Sequence, residues 1–234
     1  MTPSLPEDAG FDPNEGPGPA LVAFDFDGTL AEQRGGWGLL YRLFGVEDAG
    51  EKRTQAFWNG DISYETWADG NVADWRERGV RQRHVEAAAD AVKLTTGASD
   101  LVGTLDERDI PFGVLSAGVR DLIRSVERFD PAFVVANEVA YDDDDVPVGA
   151  VPRVPPDAKG DLLARLCAEA DVDPSEVVYI GDSRSDEEAL AFAGTAVLFD
   201  PDDRIDDTVS ETVDHVVDCR DLSAVEPIVL PGSR

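Results

Sequence analysis

Residues 20–30 read ALVAFDFDGTL. Ala20 to Phe24 form a short, continuous apolar run, the pattern of a strand buried on both faces of a parallel sheet. The run ends in two aspartates one residue apart, Asp25 and Asp27, followed at once by Gly28 and Thr29. A buried carboxylate costs free energy unless it is paired or neutralised. Two of them at the mouth of a buried strand therefore need a reason. In open α/β sheets ligands bind outside the carboxyl ends of the strands, which is where these acids stand.

Outward from this stretch, the pattern separates into three parts. Residues 1–19, rich in Pro, Gly and acid, predict a disordered or loosely attached tail. Residues 35–95 predict a helical block. WGLLYRLFG, EKRTQAFWNG, SYETWADGNVADWRERG and RQRHVEAAADAV each space apolar residues three or four apart. From residue 96 onward helix and strand alternate. GASDLVGTLDERD predicts a helix, PFGVLS a strand and GVRDLIRSVERF a helix. FVVANEVAYDDDDVPVGAV follows as strand, acidic turn and strand. DAKGDLLARLCAEA predicts a helix, VVYIGD a strand, SDEEALAFA a helix, TAVLFD a strand and DHVVD a weaker strand. Such alternation implies an α/β fold with a parallel sheet. The core is then residues 20–34 and 96–234, with 35–95 a helical cap inserted after the first strand, where it covers that strand's carboxyl end.

Of 234 residues, 42% are hydrophobic, enough to bury a sizeable core. The 49 acids against 20 bases give a formal net charge of −29, and all but three of the bases (Lys52, Lys93, Lys159) are arginine. Such a field repels a phosphate backbone, so nucleic acid is not an expected partner. The charge suits a salt-rich cytoplasm, because at about 1 M salt the Debye length shrinks to roughly 3 Å and self-repulsion is screened. No apolar stretch approaches the roughly 18 residues a membrane helix needs, and Met1 is not followed by a signal-peptide pattern. Cys167 and Cys219 lie far apart outside any CxxC pattern, so buried, reduced thiols and a cytoplasmic location are expected.

Strand ends carry the remaining reactive groups: Asp25 and Asp27, Ser116, and Asp182 with Asp186 just beyond, while Lys159 opens a helix between them. A single aspartate after a strand is commonly a cap or turn former. All of them at strand ends in one chain are not explained as caps. DFDGTL, VLSAG, AKGDLLARL and YIGDSRSDEEAL, in that order, resemble the four motifs of the haloacid dehalogenase-like superfamily, over about residues 20–220. The helical insertion and NGDISYETW, VVANEV and DAKGDLL are most similar to the phosphoserine phosphatase branch. The resemblance implies a Rossmann-like core and a Mg2+-dependent phosphomonoester hydrolase acting on a small phosphorylated metabolite, with phosphoserine a candidate. A phosphotransferase or mutase of the same superfamily and a non-enzymatic phosphate-binding regulator remain as alternatives.

The resemblance also implies roles. Asp25 is nucleophile and metal ligand, forming an aspartyl-phosphate. Asp27 lends its backbone carbonyl to the metal and its side chain to acid–base work, its pKa raised by neighbouring carboxylates. Asp182 is the second metal carboxylate, and Asp186 supports it from the same face of a helix beginning near Ser183. Ser116 and Lys159 act on the phosphoryl group, with Gly28, Thr29, Ala117 and Gly118 as the phosphate-binding backbone. Three features depart from the branch. Arg34 stands where a substrate-binding glutamate is expected, no arginine lies near Asp69 to Asn71, and Ser185 stands where the last motif often has asparagine. Asp142 to Asp145 predict a solvated hairpin tip, His84 and His215 ordinary surface roles, and the four tryptophans, Trp37, Trp58, Trp67 and Trp75, the core of the inserted block with one or two lining a pocket.

Overall fold

The apolar run Leu21–Phe24 is β1, the middle strand of a seven-stranded sheet. The computed structural model describes residues 5–6, 9–201, 205 and 207–230. The other strands are β2 (Phe112–Val119), β3 (Phe133–Tyr141), β4 (Pro147–Val151), β5 (Val177–Gly181), β6 (Thr195–Phe199) and β7 (His215–Val217). Their order is β4-β3-β2-β1-β5-β6-β7, and only β4 runs antiparallel to its neighbour. β1 pairs β2 on one side and β5 on the other, so the strand order reverses direction at β1 and a crevice opens there at the carboxyl ends.

All four β1 side chains are buried, and they alternate between two cores as a strand's period of two requires. Val22 and Phe24 join the cluster that includes Trp37, Leu40 and Trp75, while Leu21 and Ala23 join Leu162, Leu163 and Tyr179 on the other face. Between β1 and the next core helix, α5 (Ala98–Asp106), the chain inserts α1 (Gly36–Phe44), α2 (Glu47–Trp58), α3 (Tyr64–Glu77) and α4 (Gln82–Asp90). α1 stops at Gly45, whose φ of 66° lets its N–H turn back to the Tyr41 and Arg42 carbonyls. The Ser63 hydroxyl caps α3 by accepting from Thr66 N–H at 3.2 Å. α6 (Arg124–Glu127), α7 (Lys159–Glu169), α8 (Glu187–Phe192), α9 (Asp207–Thr212) and α10 (Glu226–Val229) complete the fold.

Four expectations need correction. The helix expected from Gly118 is only a 3-10 turn, Arg120–Ile123, followed by the single turn of α6. β2 runs on past Ser116 to Val119, with a shift of register against β3 between Ser116 and Val119, and takes the residues a longer helix needed. Second, the helix after Asp182 starts late: Ser183 caps a 3-10 turn, Arg184–Asp186, and α8 begins at Glu187. Third, within the segment read as a tail, Ala9 is buried, Phe11 packs its ring 5.8 Å from that of Phe133, and Asn14 donates to the Ala20 carbonyl. Residues 1–4 and 7–8 of that segment lie outside the described residues. Fourth, Cys167 is buried as expected but Cys219 is exposed. The Asp142–Asp145 stretch is a hairpin tip, with Asp142 Oδ1 accepting from Asp144 and Val146 N–H. No described helix is long and apolar enough to cross a membrane.

Candidate active site

β1 and β5 are adjacent, so the residues that follow them meet. Asp25 donates its backbone N–H to the Ile180 carbonyl at 2.9 Å, and its Oδ1 accepts from Phe26 N–H at 2.7 Å. Lys159, wholly buried at the start of α7, sets Nζ 3.0 Å from Asp25 Oδ1 and 2.7 Å from Asp186 Oδ1. Burial alone pulls the Lys159 ammonium down, but the facing carboxylates of Asp186 and Asp25 overcome it and hold the pKa above its ordinary value. Lys159 therefore lies beneath the carboxylates and does not line the cavity above them.

Asp186 is saturated. Oδ1 accepts from Lys159 and, at 2.7 Å, from Tyr179 Oη; Oδ2 accepts from the Asp182 and Ser183 amides and the Ser183 hydroxyl. It shapes the turn after β5 through these bonds; a shared helical face plays no part. Asp182 is the opposite case: it is buried, Oδ2 meets Arg34 at 3.2 Å, and Oδ1 has no partner. A buried carboxylate oxygen left without a donor calls for one. Carboxylate oxygens of Asp25, Asp182 and Asp186 lie within 4.8 Å of one another. With Asp186 fully engaged, Asp25 and Asp182 are the pair fitted to a hard, oxygen-seeking dication. Asp25, Asp182 and Asp186 face Lys159 and Arg34, and Arg34 is shared with Asp200, so the cluster is short of the positive charge such an ion supplies.

Burial pushes Asp25 up to about 7 even though Lys159 works against it, and pushes Asp182 up to about 9, with Asp25 and Asp186 adding to the rise. The ion-free folded state thus holds protons that an unfolded chain has already lost above pH ~4. Where the native state binds more protons, stability falls as pH rises. The ion-free protein is expected to lose melting temperature between about pH 5.5 and 8.5, and Mg2+ to restore more at the alkaline end. Thermal melts with and without Mg2+ check this, and parallel pH profiles in the two conditions would exclude it.

Asp27 is raised chiefly by burial, opposed by hydrogen bonds from Gly36 N–H and Gln33 and by Lys159; crowding by carboxylates, the expected cause, contributes nothing resolved. Gly36 N–H donates to Oδ2 at 2.7 Å and Gln33 Nε2 to Oδ1 at 3.0 Å. At the end of β2, Gly118 N–H donates to Ser116 Oγ at 3.1 Å, and a Cβ at Gly118 would lie 2.5 Å from Asp27 Oδ2. Gly28, at φ +87°, meets Asp182 instead, where a Cβ would sit 2.1 Å from Oδ2. Gly28 and the buried Thr29 are not among the cavity's lining, whereas Ser116, Ala117 and Gly118 are. Of the backbone expected to bind phosphate, the β2 end is the part that lines the cavity.

The model of the haloacid dehalogenase-like hydrolase family matches residues 19–194. The chain belongs to the haloacid dehalogenase-like hydrolases. It sits among that family's phosphoserine phosphatase-like phosphatases. It is 32% identical over 206 residues to a phosphoserine phosphatase of Halobacterium salinarum, covering 82% of this chain and 92% of that one. A phosphoserine phosphatase of Streptomyces coelicolor is 30% identical over 185 residues, covering 76% of this chain and 43% of the other. The solved structure of a substrate-bound phosphoserine phosphatase superposes with a TM-score of 0.72 at 22% identity, over 92% of this chain and all of that one.

Above the haloacid dehalogenase-like carboxylates lies a cavity of about 690 Å³. Its far wall is aromatic: Trp37, Tyr41, Phe57, Trp58, Tyr64 and Trp67, all from the inserted helices. Three of the four tryptophans thus face the cavity, and Trp75 is core. Sequence reasoning missed several supporting residues. Buried Asn137, inside the quoted VVANEV, donates to the Ala117 carbonyl at 2.8 Å and accepts from Val154 N–H, which steadies the β2 end. Tyr179 had no local signal, because its hydroxyl acts only through Asp186.

Proposed function

We propose that the protein is a Mg2+-dependent phosphomonoester hydrolase that acts on a small phosphorylated metabolite through an aspartyl-phosphate on Asp25. One observation carries this reading: a buried aspartate at the floor of a cavity, held from behind by a wholly buried lysine, with a second protonatable aspartate two residues on. Residues 35–95 act as the cap over that floor. Phe26 N–H and Lys159 hold Oδ1 of Asp25, leaving Oδ2 to attack phosphorus in line with the leaving oxygen. Asp27, half-buried and with its pKa raised by desolvation, gives its proton to the leaving alkoxide as the P–O bond breaks. It then takes a proton from water as that water attacks the phosphoaspartate and frees phosphate. Ser116 and the amides at the β2 end hold the phosphoryl oxygens. Asp25, Asp182 and the Asp27 carbonyl would hold a Mg2+, which would supply charge neutralisation for the phosphoryl group.

The direct test is phosphate release from an aryl phosphate with Mg2+ and with excess chelator, in the presence and absence of an added alcohol acceptor. Release that needs Mg2+ and ends on water supports the hydrolase; transfer to the alcohol alone gives a phosphotransferase, and binding without turnover a regulator. Asp27→Asn is expected to slow alkyl phosphates about 10²–10⁴-fold and aryl phosphates much less, because a phenolate leaves without a proton. Steady-state rates on the two classes compare them, and equal losses would remove Asp27 as the acid.

We also place the protein in the cytoplasm of a salt-adapted cell. With −29 on 234 residues, self-repulsion acts over about 30 Å at 0.01 M salt but only about 3 Å at 1 M. The melting temperature is expected to rise steeply with KCl up to about 2 M. A flat profile would end that part of the proposal.

A further inference from the structure

Arg34 lies nine residues after Asp25, in the stretch between β1 and α1, and its guanidinium is fixed on two sides. One side meets Asp182 Oδ2 at 3.2 Å, and the other meets Asp200 Oδ2 at 2.7 Å and the Asp200 carbonyl. Asp200, just past β6, is held in turn by Arg220 at 2.7 Å, and Arg220 donates to the Glu32 carbonyl at 2.5 Å. The chain of contacts leaves Arg34 at the reacting end of the cavity it lines. Arg184, two residues after Asp182, also lines the cavity and stacks 5.4 Å over the Trp58 ring. Beyond the aspartates that do the chemistry, the lining acids are Glu47 and Glu51. Both are exposed on α2, as Arg34 and Arg184 are in their own segments, but no described ion pair holds either glutamate, whereas Arg34 is fixed by Asp182 and Asp200.

A phosphomonoester entering this cavity meets the fixed Arg34 guanidinium and the exposed Arg184 guanidinium on its wall, in a chain otherwise strongly negative. An ammonium group two carbons from the ester oxygen shares this cavity with Arg34 and finds no lining carboxylate beyond the catalytic Asp25, Asp27 and Asp182 and the exposed Glu47 and Glu51. A carboxylate in that region finds the planar donor geometry that guanidinium groups offer. The cavity's 690 Å³ and aromatic wall also accept a body larger than a three-carbon amino acid, within the roughly 300–1,000 Å³ typical of small-molecule sites.

We propose that the substrate is an anionic phosphomonoester with no ammonium group near its phosphate, and that Arg34 sets this choice. The inference rests on the hydrolase reading above and narrows its substrate class away from phosphoserine. The test uses an isosteric pair matched in configuration, 3-phospho-L-glycerate and O-phospho-L-serine, which differ by a hydroxyl in place of the ammonium. In the wild-type protein kcat/KM is expected to favour 3-phospho-L-glycerate at least about tenfold, and Arg34→Glu to shrink that ratio by at least about tenfold, with Arg34→Gln between them. Because the ratio is taken within one preparation, loss of Asp182 support or of folded protein cancels; if Arg34→Glu fails to fold, Arg34→Gln carries the comparison. Calorimetric binding of the same two compounds to Asp25→Asn protein gives a readout independent of turnover, and the same preference is expected. Equal or better use of phosphoserine by the wild type, or a ratio that neither Arg34 variant moves, overturns the inference. Absence of any Mg2+-dependent release from para-nitrophenyl phosphate instead overturns the hydrolase reading, and the binding preference then judges the inference alone.

Discussion

Asp25→Asn is expected to lower kcat by several orders of magnitude while the protein stays folded, because the amide keeps the shape but loses the attacking lone-pair charge and one ligand charge. The fold survives for a reason visible in the site. Asp25 is pushed up to about 7 by burial, so its ionised form is a cost to the native state at alkaline pH. Asparagine removes that cost, and Lys159 keeps Asp186 as its partner at 2.7 Å. The melting temperature of the ion-free variant at about pH 8 is therefore expected to equal or exceed that of the wild type. Single-turnover rates together with thermal melts check both halves. Activity within tenfold of wild type in a folded Asp25→Asn protein would refute the nucleophile.

Lys159→Met has the opposite profile, damaging fold and activity together. Methionine fills a similar volume, but the ammonium between Asp25 and Asp186 is gone, and two buried carboxylates face each other without a counter-charge. Removing one partner of a buried ion pair costs about 3–5 kcal/mol, against a total margin of roughly 5–15 kcal/mol for a domain. The loss is smaller at low pH, where Asp25 takes up a proton, and grows as pH rises. Turnover is expected to fall at least about 10²-fold, since Asp25 loses the donor that orients Oδ1. Denaturant titrations at about pH 6 and 8.5 measure the first effect and kcat the second. Unchanged stability at both values would show that Lys159 is not paired as described. Lys159→Arg is no rescue, because the planar guanidinium is larger than the wholly enclosed ammonium it replaces.

The hydrophobic pattern alone pointed to β1 as a doubly buried strand, and the structure agrees because a continuous apolar run has no polar face to show to water. The helix expected from Gly118 does not form, for a non-local reason. Its apolar spacing suits a helix, but pairing with β3 keeps Ala117 to Val119 extended, a competition that no local window contains. Asp182 and Asp186 show the same limit: their spacing suggested a helical face, whereas five donors fold Asp186 into the turn itself.

What the sequence determined by itself was the chemistry on offer: paired acids at Asp25 and Asp27, the small residues Gly28 and Gly118, Ser116, Lys159 and Asp182, each legible because its type and near neighbours carry the signal. Tertiary structure decided how they are used. It placed Lys159 under Asp25 and Asp186, left Asp182 Oδ1 without a donor, desolvated Asp27 enough to raise its pKa, and set Arg34 against Asp182 and Asp200. Those outcomes join residues more than a hundred positions apart in several cases. They exist only once β5 lies beside β1 and the inserted helices close over the strand ends, and pKa values and ion pairs depend on that distance and burial.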